Sequence, residues 1–384
     1  MIIHDQLEKR NPRADLIRFK SLGKALARCS IDVVYITSNE RWRYEEGAYE
    51  GAKVYKVPLF ARSNMIQLLF FYIYFLPVLF RAKQAGGFDI IFVNSIFTVP
   101  GAWFLKWLSR DARIQFDLMG ILSEEKFVRL PKNYWFKTTK KALSSLEDFL
   151  WSHVDFITTI NDQHKRLLLE RIRKPVYVVR DGVFEAVWKN PPRVAKDPTQ
   201  DSKIILIFVG QINYFRLDTL FKILPTLIAE VPKFQLQVLG TGPQLRRYRE
   251  MALKLGLEEH VAFLGHVPHE KIFDYIACAD IAYSDDWSII GFPMKLFDYM
   301  AMGKAIVAEG TESVKEVLID QVNGLLYTNE VELKEKILTL ARDGASRKKL
   351  GETAKKMMDQ HTWEKRVEVL GLIYRQYIPG MGTR

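Results

Sequence analysis

The chain has 384 residues, 48% of them hydrophobic and 26% charged, with a formal net charge of +11 at neutral pH. That length exceeds what a single core usually serves, and the composition excludes a disordered or fibrous chain. Its two cysteines, Cys29 and Cys278, have neither metal nor redox spacing, which favours a reducing cytosol over a disulfide-stapled secreted setting.

The charge is unevenly placed. Residues 1–190 hold 30 Lys and Arg against 20 Asp and Glu, a net of +10, so residues 191–384 contribute only +1. An acidic partner for the front half follows, whether anionic lipid, nucleic acid or a phosphorylated acceptor; a basic surface serving only solubility is the plainer alternative. No groove-reading nucleic-acid motif is present, and the aromatics of this half cluster in apolar runs, so nucleic acid is set aside. The N-terminus lacks a basic stretch followed by an apolar run and a small-residue cleavage site, so no signal peptide is expected.

The opening "MIIHDQLEKRNPR" has room for a four-residue strand at most, and a helix is expected over 14–28. Short Val-, Ile- and Phe-rich runs follow at 31–37, 88–95, 113–120, 154–160 and 175–182, with helices at 141–152 and 162–172. Near-continuous apolar strands separated by helices imply parallel sheets covered on both faces. The apolar run 65–80, "MIQLLFFYIYFLPVLF", stands apart. As a helix it would measure roughly 24 Å, short of the roughly 30 Å hydrocarbon core, and Gln67 and Pro77 interrupt it. It reads either as a buried helix or as an interfacial one with Phe and Tyr in lipid and Arg62 and Arg81 on headgroups.

The polar, proline-rich segment 187–202 breaks the rhythm and reads as a linker between a first domain, 1–186, and a second, 203–360. Beyond it strands are expected at 203–210, 234–242, 261–267, 279–285 and 304–310, with helices at 217–230, 243–255, 269–277 and 332–342. In such sheets ligands sit beyond the carboxyl ends of the strands.

The stretch "GFPMKLFDYMAMGKAIVAEG" (291–310) concentrates the chemistry. Gly291, Phe292, Pro293 and Met294 form a corner before an apolar helix that keeps Lys295 and Asp298 one turn apart. Proline suits a first helical turn and Gly303 a helix stop. Amides at a helix start hold anions such as a diphosphate, and a carboxylate one turn in accepts hydrogen bonds from a ribose. The bland alternative is an exposed helical ion pair worth a few tenths of a kcal/mol.

These residues resemble the donor-site signature of glycosyltransferase family 4, written E-G-F-G-x-x-x-x-E-A-M-A-x-G-K-P-V-V-A. The likeness continues in "VVRDGVFEAVW" (178–188), "VGQINYFRLDTLFKILPTLI" (209–228), the line 236–281 and "HTWEKRVEVLGLIYRQY" (361–377), which resembles the family's closing helix. The resemblance implies an α/β chain of GT-B fold: two Rossmann-like parallel domains facing a central cleft, with residues 361–384 returning to the first. It also implies metal-independent, retaining transfer from a UDP- or GDP-sugar, with no other cofactor, onto a glycan or polyprenyl-linked acceptor. The expected location is cytoplasmic, peripheral on the inner face of an anionic membrane.

Carried over by position, Asp298 matches the signature's second glutamate and would take the ribose, while the first falls at Ile290. Of the family's basic pair, the Arg position is Gln211, beside Gly210, and the Lys position is Arg216, which would neutralise the leaving diphosphate. Gly242 and the backbone near Val267 fall where the family holds the nucleobase. In "FDLMGILSEE" (116–125), Asp117 stands near the expected transferred sugar, with Glu124 and Glu125 as acceptor-orienting candidates. The family's Gly-Gly loop near the start is absent or lies upstream of Met1, and Asn11 and Arg13 occupy its place. His153, His164, His266 and His269 show no matching acid in sequence and read as surface or loop residues. The departures at Ile290 and Gln211 keep open a catalytically weak scaffold subunit, and the fold also admits a nucleotide-sugar epimerase.

Overall fold

The computed structural model describes residues 14–39, 44–58, 80, 84, 87–125, 134–192, 203–213, 217–285 and 292–378. Asn11, Arg13, Arg216, Gly291 and all of the run 65–80 except Phe80 lie outside the described residues. The chain forms two compact units, Met1–Arg180 with Trp363–Arg384, and Asp181–Thr362. The division falls ahead of the proline-rich segment, because Val183 already sits in the core of the second unit, with Val187 and Trp188 packed against it. There Val183 bridges to Thr362, so the two crossings of the chain run side by side.

In the first unit, β4 (Ile90–Val93), β5 (Arg113–Leu118), β6 (Phe156–Thr159) and β7 (Val176–Val178) lie parallel in that order. A second set, β1 (Val34–Asn39), β2 (Glu45–Tyr49) and β3 (Ala52–Pro58), has the order β1-β3-β2, with β1 and β3 parallel. The second unit carries six parallel strands: β8 (Ile204–Val209), β9 (Phe234–Leu239), β10 (Val261–Gly265), β11 (Ile281–Ser284), β12 (Ala305–Glu309) and β13 (Leu325–Tyr327). Their order is β10-β9-β8-β11-β12-β13. All ten expected strands are present, each an apolar run, with the central ones buried on both sheet faces and the edge strands β7 and β10 only in part. The pair β2 and β3 and the three-residue edge strand β13 are additions. Tyr49 and Ala52 close the pair over Glu50 and Gly51, both at positive φ (51° and 84°), the geometry that lets a two-residue loop follow the twist of its strands. Its charged strand β2 has no apolar pattern to betray it.

Helix ends follow local chemistry. The Asn161 side chain accepts from the His164 amide and opens the helix Asp162–Arg171. The Asn329 side chain accepts from the Glu332 amide and opens the helix Glu330–Arg342, while the Glu332 carboxylate reaches back to accept from the Thr328 amide.

A buried polar chain ties the first unit together. Tyr374, on the closing helix Trp363–Tyr374, donates to Gln115 at 2.7 Å, and Gln115 donates to Thr158 at 2.9 Å. The Thr158 hydroxyl donates to Asp117 at 2.7 Å, and Arg18 grips both Asp117 oxygens at 2.7 and 2.9 Å. Arg18 also donates to the Val179 carbonyl at 2.7 Å, joining the helix Ala14–Arg28 to the chain just past β7. Burial, with the Asp117 charge behind it, pushes the Tyr374 phenol well up and keeps it a neutral donor. The expectation of Asp117 beside a transferred sugar is corrected here. It points inward from within β5, is 1% exposed, and has both oxygens occupied by Arg18 and Thr158.

A buried ion pair broken on one side leaves an uncompensated charge. Asp117→Asn should therefore cost about 3 kcal/mol in urea unfolding. The apolar double substitution Arg18→Met with Asp117→Leu should restore most of it, and unchanged stability in the single variant would refute the assignment.

Candidate active site

The six-stranded sheet of the second unit changes direction once. From β8 the chain proceeds outward through β9 and β10, then returns to the other side of β8 with β11. At such a switch point the connections leave in opposite directions and a crevice opens beyond the carboxyl ends. The β8–β11 pairing stops at Ala282 and Ile207, so Val209 and Tyr283 further along have no ladder partner in each other. Tyr299, on the helix Lys295–Ala301, fills the gap: its hydroxyl accepts from the Val209 amide at 2.9 Å and donates to the Tyr283 carbonyl at 3.2 Å. Burial pushes the Tyr299 phenol far up, so it remains neutral in this bridging role.

All seven residues of that helix are buried. The expected amphipathic division is therefore replaced by burial all round, with the two charges turned to different partners. Lys295 is 8% exposed; its ammonium lies 3.4 Å from an Asp285 oxygen and 4.0 Å above the centre of the Phe208 ring. Phe208 belongs to β8 and Asp285 directly follows β11, so this cation sits across the switch point. Next to it the buried Ser284 hydroxyl has no partner among the described residues. Asp298 is 7% exposed and lies 3.6 Å from Nε2 of His269, which opens the helix His269–Cys278. Burial is the largest influence on His269 and acts to lower its pKa. The Asp298 carboxylate, with Glu270 behind it, outweighs burial and raises the pKa above the ordinary 6.5. His269 thus has the matching acid that sequence spacing hid, because 29 positions of chain separate residues that two packed helices bring together.

The glycines have a packing reason. A Cβ on Gly240 would come within 1.8 Å of the Gly210 carbonyl oxygen, and one on Gly242 within 2.3 Å of the Ile212 carbonyl oxygen. The loops after β8 and β9 are zipped by Gly210 N–H to Leu239 and Ile212 N–H to Thr241, both 2.9 Å. The Gly210 amide is therefore committed to this zipper. Gln211 is exposed and accepts from Asn213 at 2.7 Å. Val267 turns its side chain into the core, and Phe292 packs at 5.0 Å on Phe297. Pro293 is buried and its carbonyl accepts from the Leu296 amide, while Met294 has helical angles, so the corner does feed the helix. Lys295, Asp298, Gly210, Gln211, Gly242 and Val267 thus all lie along the carboxyl edge of one sheet. In the first unit, Glu124 pairs with Lys140 at 2.7 Å, and Glu125 ends the helix Leu122–Glu125. That short helix is anchored by the buried Glu147, which accepts from the Ser123 amide and hydroxyl.

Two family models match in tandem: a glycosyl transferase 4-like domain over residues 17–180 and glycosyl transferases group 1 over residues 192–357. The chain belongs to the family 4 glycosyltransferases of GT-B fold. An uncharacterized glycosyltransferase of Methanocaldococcus jannaschii is 25% identical over 362 residues, covering 90% of both chains. The alpha-monoglucosyldiacylglycerol synthase of Streptococcus pneumoniae is 26% identical over 140 residues, 36% of this chain and 32% of that protein. Among solved structures, Anabaena HepE in complex with UDP and glucose superposes with a TM-score of 0.75 at 15% identity, over 98% of this chain and 99% of that one. At that identity the likeness carries the fold alone.

Two outcomes test the geometry of this glycosyltransferase. Tyr299→Phe strands the part-buried Val209 amide and should destabilise the second unit by about 1 kcal/mol in urea unfolding. His269 has a raised folded pKa, so its contribution is complete below about pH 6.5 and is lost as pH rises through the raised value. With 38% of its side chain exposed, the effect should stay under about 1 kcal/mol. His269→Gln should flatten that part of the stability–pH curve, and an unchanged slope would remove the pairing with Asp298.

Proposed function

We propose that this chain is a retaining, metal-independent glycosyltransferase. It would move a hexosyl unit from a UDP- or GDP-sugar to a lipid-linked or growing glycan acceptor, in cell-surface polysaccharide or glycoconjugate synthesis. The observation that carries the reading is the buried Lys295 ammonium at the switch point, within 3.4 Å of Asp285 and over Phe208. A buried cation at a sheet's carboxyl edge suits a diphosphate, whose negative charge grows as the glycosidic bond to the anomeric carbon breaks. Lys295 then supplies charge that Gln211 cannot, together with Arg216. Asp298 takes the ribose hydroxyls, and the corner from Gly291 to Met294 with the Gly242 and Val267 loops borders the nucleoside.

In the reaction the acceptor hydroxyl attacks the anomeric carbon from the face the diphosphate leaves, and its proton passes to a departing phosphate oxygen. No protein nucleophile is needed. The name of the pneumococcal relative, a diacylglycerol glucoside synthase, supports a lipid acceptor. The basic excess of residues 1–190 supports peripheral contact with an anionic bilayer on the cytoplasmic side. One observation favours a catalytically weak scaffold instead: Gln211 is bonded to Asn213 where the family carries an arginine.

Thermal stabilisation by UDP, UMP, UDP-sugars and GDP-sugars separates these readings. The wild type should bind the diphosphate more tightly than the monophosphate, and Lys295→Met should lose that preference, weakening diphosphate binding about tenfold or more. Asp298→Ala should weaken all nucleosides alike, and Arg216→Ala should lower turnover more than affinity. Absence of any nucleotide-dependent shift in the wild type would leave the scaffold reading, and an altered free nucleotide sugar would mean epimerisation.

A further inference from the structure

The first unit carries an aromatic ridge that its own core leaves uncovered. On the helix Val99–Leu108, Val99, Ala102 and Leu105 face inward, while Trp103, Phe104 and Trp107 recur at helical spacing on the other side. Trp107 is 70% exposed. On the helix Tyr134–Ser152, Glu147 and Leu150 are buried, while Leu146 and Phe149 are 46% and 53% exposed. The two faces meet. Trp103 lies edge-on to Phe149 at 6.1 Å, Phe104 contacts Trp107 at 5.8 Å, and Phe80, 49% exposed, lies edge-on to Phe104 at 5.8 Å. Trp103 is held by its indole N–H donating to the His153 carbonyl at 3.0 Å. Singly scattered exposed apolar residues are ordinary, but aromatic contacts carried by two neighbouring helices, with Phe80 at one end and the exposed Leu146 one turn from Phe149, make a docking surface.

We propose that this ridge seats the enzyme on an anionic lipid bilayer. The inference deepens the membrane contact proposed above and rests on that reading. Two features select a bilayer over a protein partner. The ridge is one end of the most apolar stretch of the chain, because Phe80 closes the run 65–80. The half of the chain that bears it also holds nearly all the excess positive charge, 30 Lys and Arg against 20 Asp and Glu in residues 1–190. Beside Trp107 lie Lys106, bonded to Asp155 at 2.6 Å, and the exposed Arg110, next to Asp111. Local charge is therefore nearly balanced, so aromatic burial anchors the contact while the diffuse field of the unit selects anionic lipid. Tryptophan rings suit the headgroup level, where an apolar body and a polar N–H are both accommodated. No helix among the described residues is long and apolar enough to cross a membrane, so the contact lies in the interface plane.

Flotation of the full chain with phosphatidylcholine vesicles, with and without phosphatidylglycerol, tests this. The wild type should float with the anionic vesicles and be released by salt. Trp107→Ala with Phe149→Ser should lower the partition coefficient about tenfold. Both positions are solvent-exposed, so the melting temperature and the UDP-induced shift should stay at wild-type values. Val331→Ser, at a residue 61% exposed in the second unit, should float like the wild type. Equal flotation of the ridge variant, or no flotation of the wild type, overturns the proposal, as does ridge-dependent self-association without lipid binding. Loss of glycosyl transfer with flotation intact would instead count against the reaction proposed above.

Discussion

The second unit depends on the place where β8 and β11 part. A parallel sheet entered from both sides of one strand must open there, and the opening strands backbone groups that would otherwise pair. The Tyr299 hydroxyl answers this by accepting from Val209 and donating to Tyr283. The same seven-residue helix that supplies Tyr299 carries Lys295 and Asp298, so the bridge and the charged groups are positioned by one rigid, wholly buried element. A short helix is marginal alone, but here packing on every side replaces intrinsic propensity.

The first unit solves its polar problem differently. Arg18, Asp117, Thr158, Gln115 and Tyr374 form an unbroken line of donors and acceptors from the first described helix to the last. A buried network is favourable only when every member is satisfied, and this one gives Asp117 three donated bonds. Its carboxylate is thereby committed to architecture. The outer face of the same unit carries the exposed ridge around Trp107, so a buried polar line and exposed aromatic side chains occur in one unit whose interior is otherwise apolar.

Much of the fold was legible because buried parallel strands announce themselves as unbroken apolar runs. The hairpin of β2 and β3 escaped notice because charged residues lie along it and its turn uses Glu50 where an Asn or Asp would signal the geometry. Of the residues along the carboxyl edge of the second sheet, Lys295, Asp298 and the glycines follow from motif spacing, since they lie within single loops or one helical turn. Tyr299 was hidden because one residue after Asp298 it reads as apolar filling. His269 was hidden because its acid lies on another helix.

What the amino-acid order determined by itself was ten of the strands, the likeness to family 4 in both halves, and the corner leading to Lys295 and Asp298. These are local matters, settled by periodicity and by which residue types tolerate a turn or a helix start. Which charges meet was decided by tertiary packing alone. Asp117 found Arg18, Lys295 found Asp285, and Asp298 found His269, because a carboxylate's partner depends on which helices cross above the sheet, and pairwise contact falls off over a few ångströms that chain spacing does not encode.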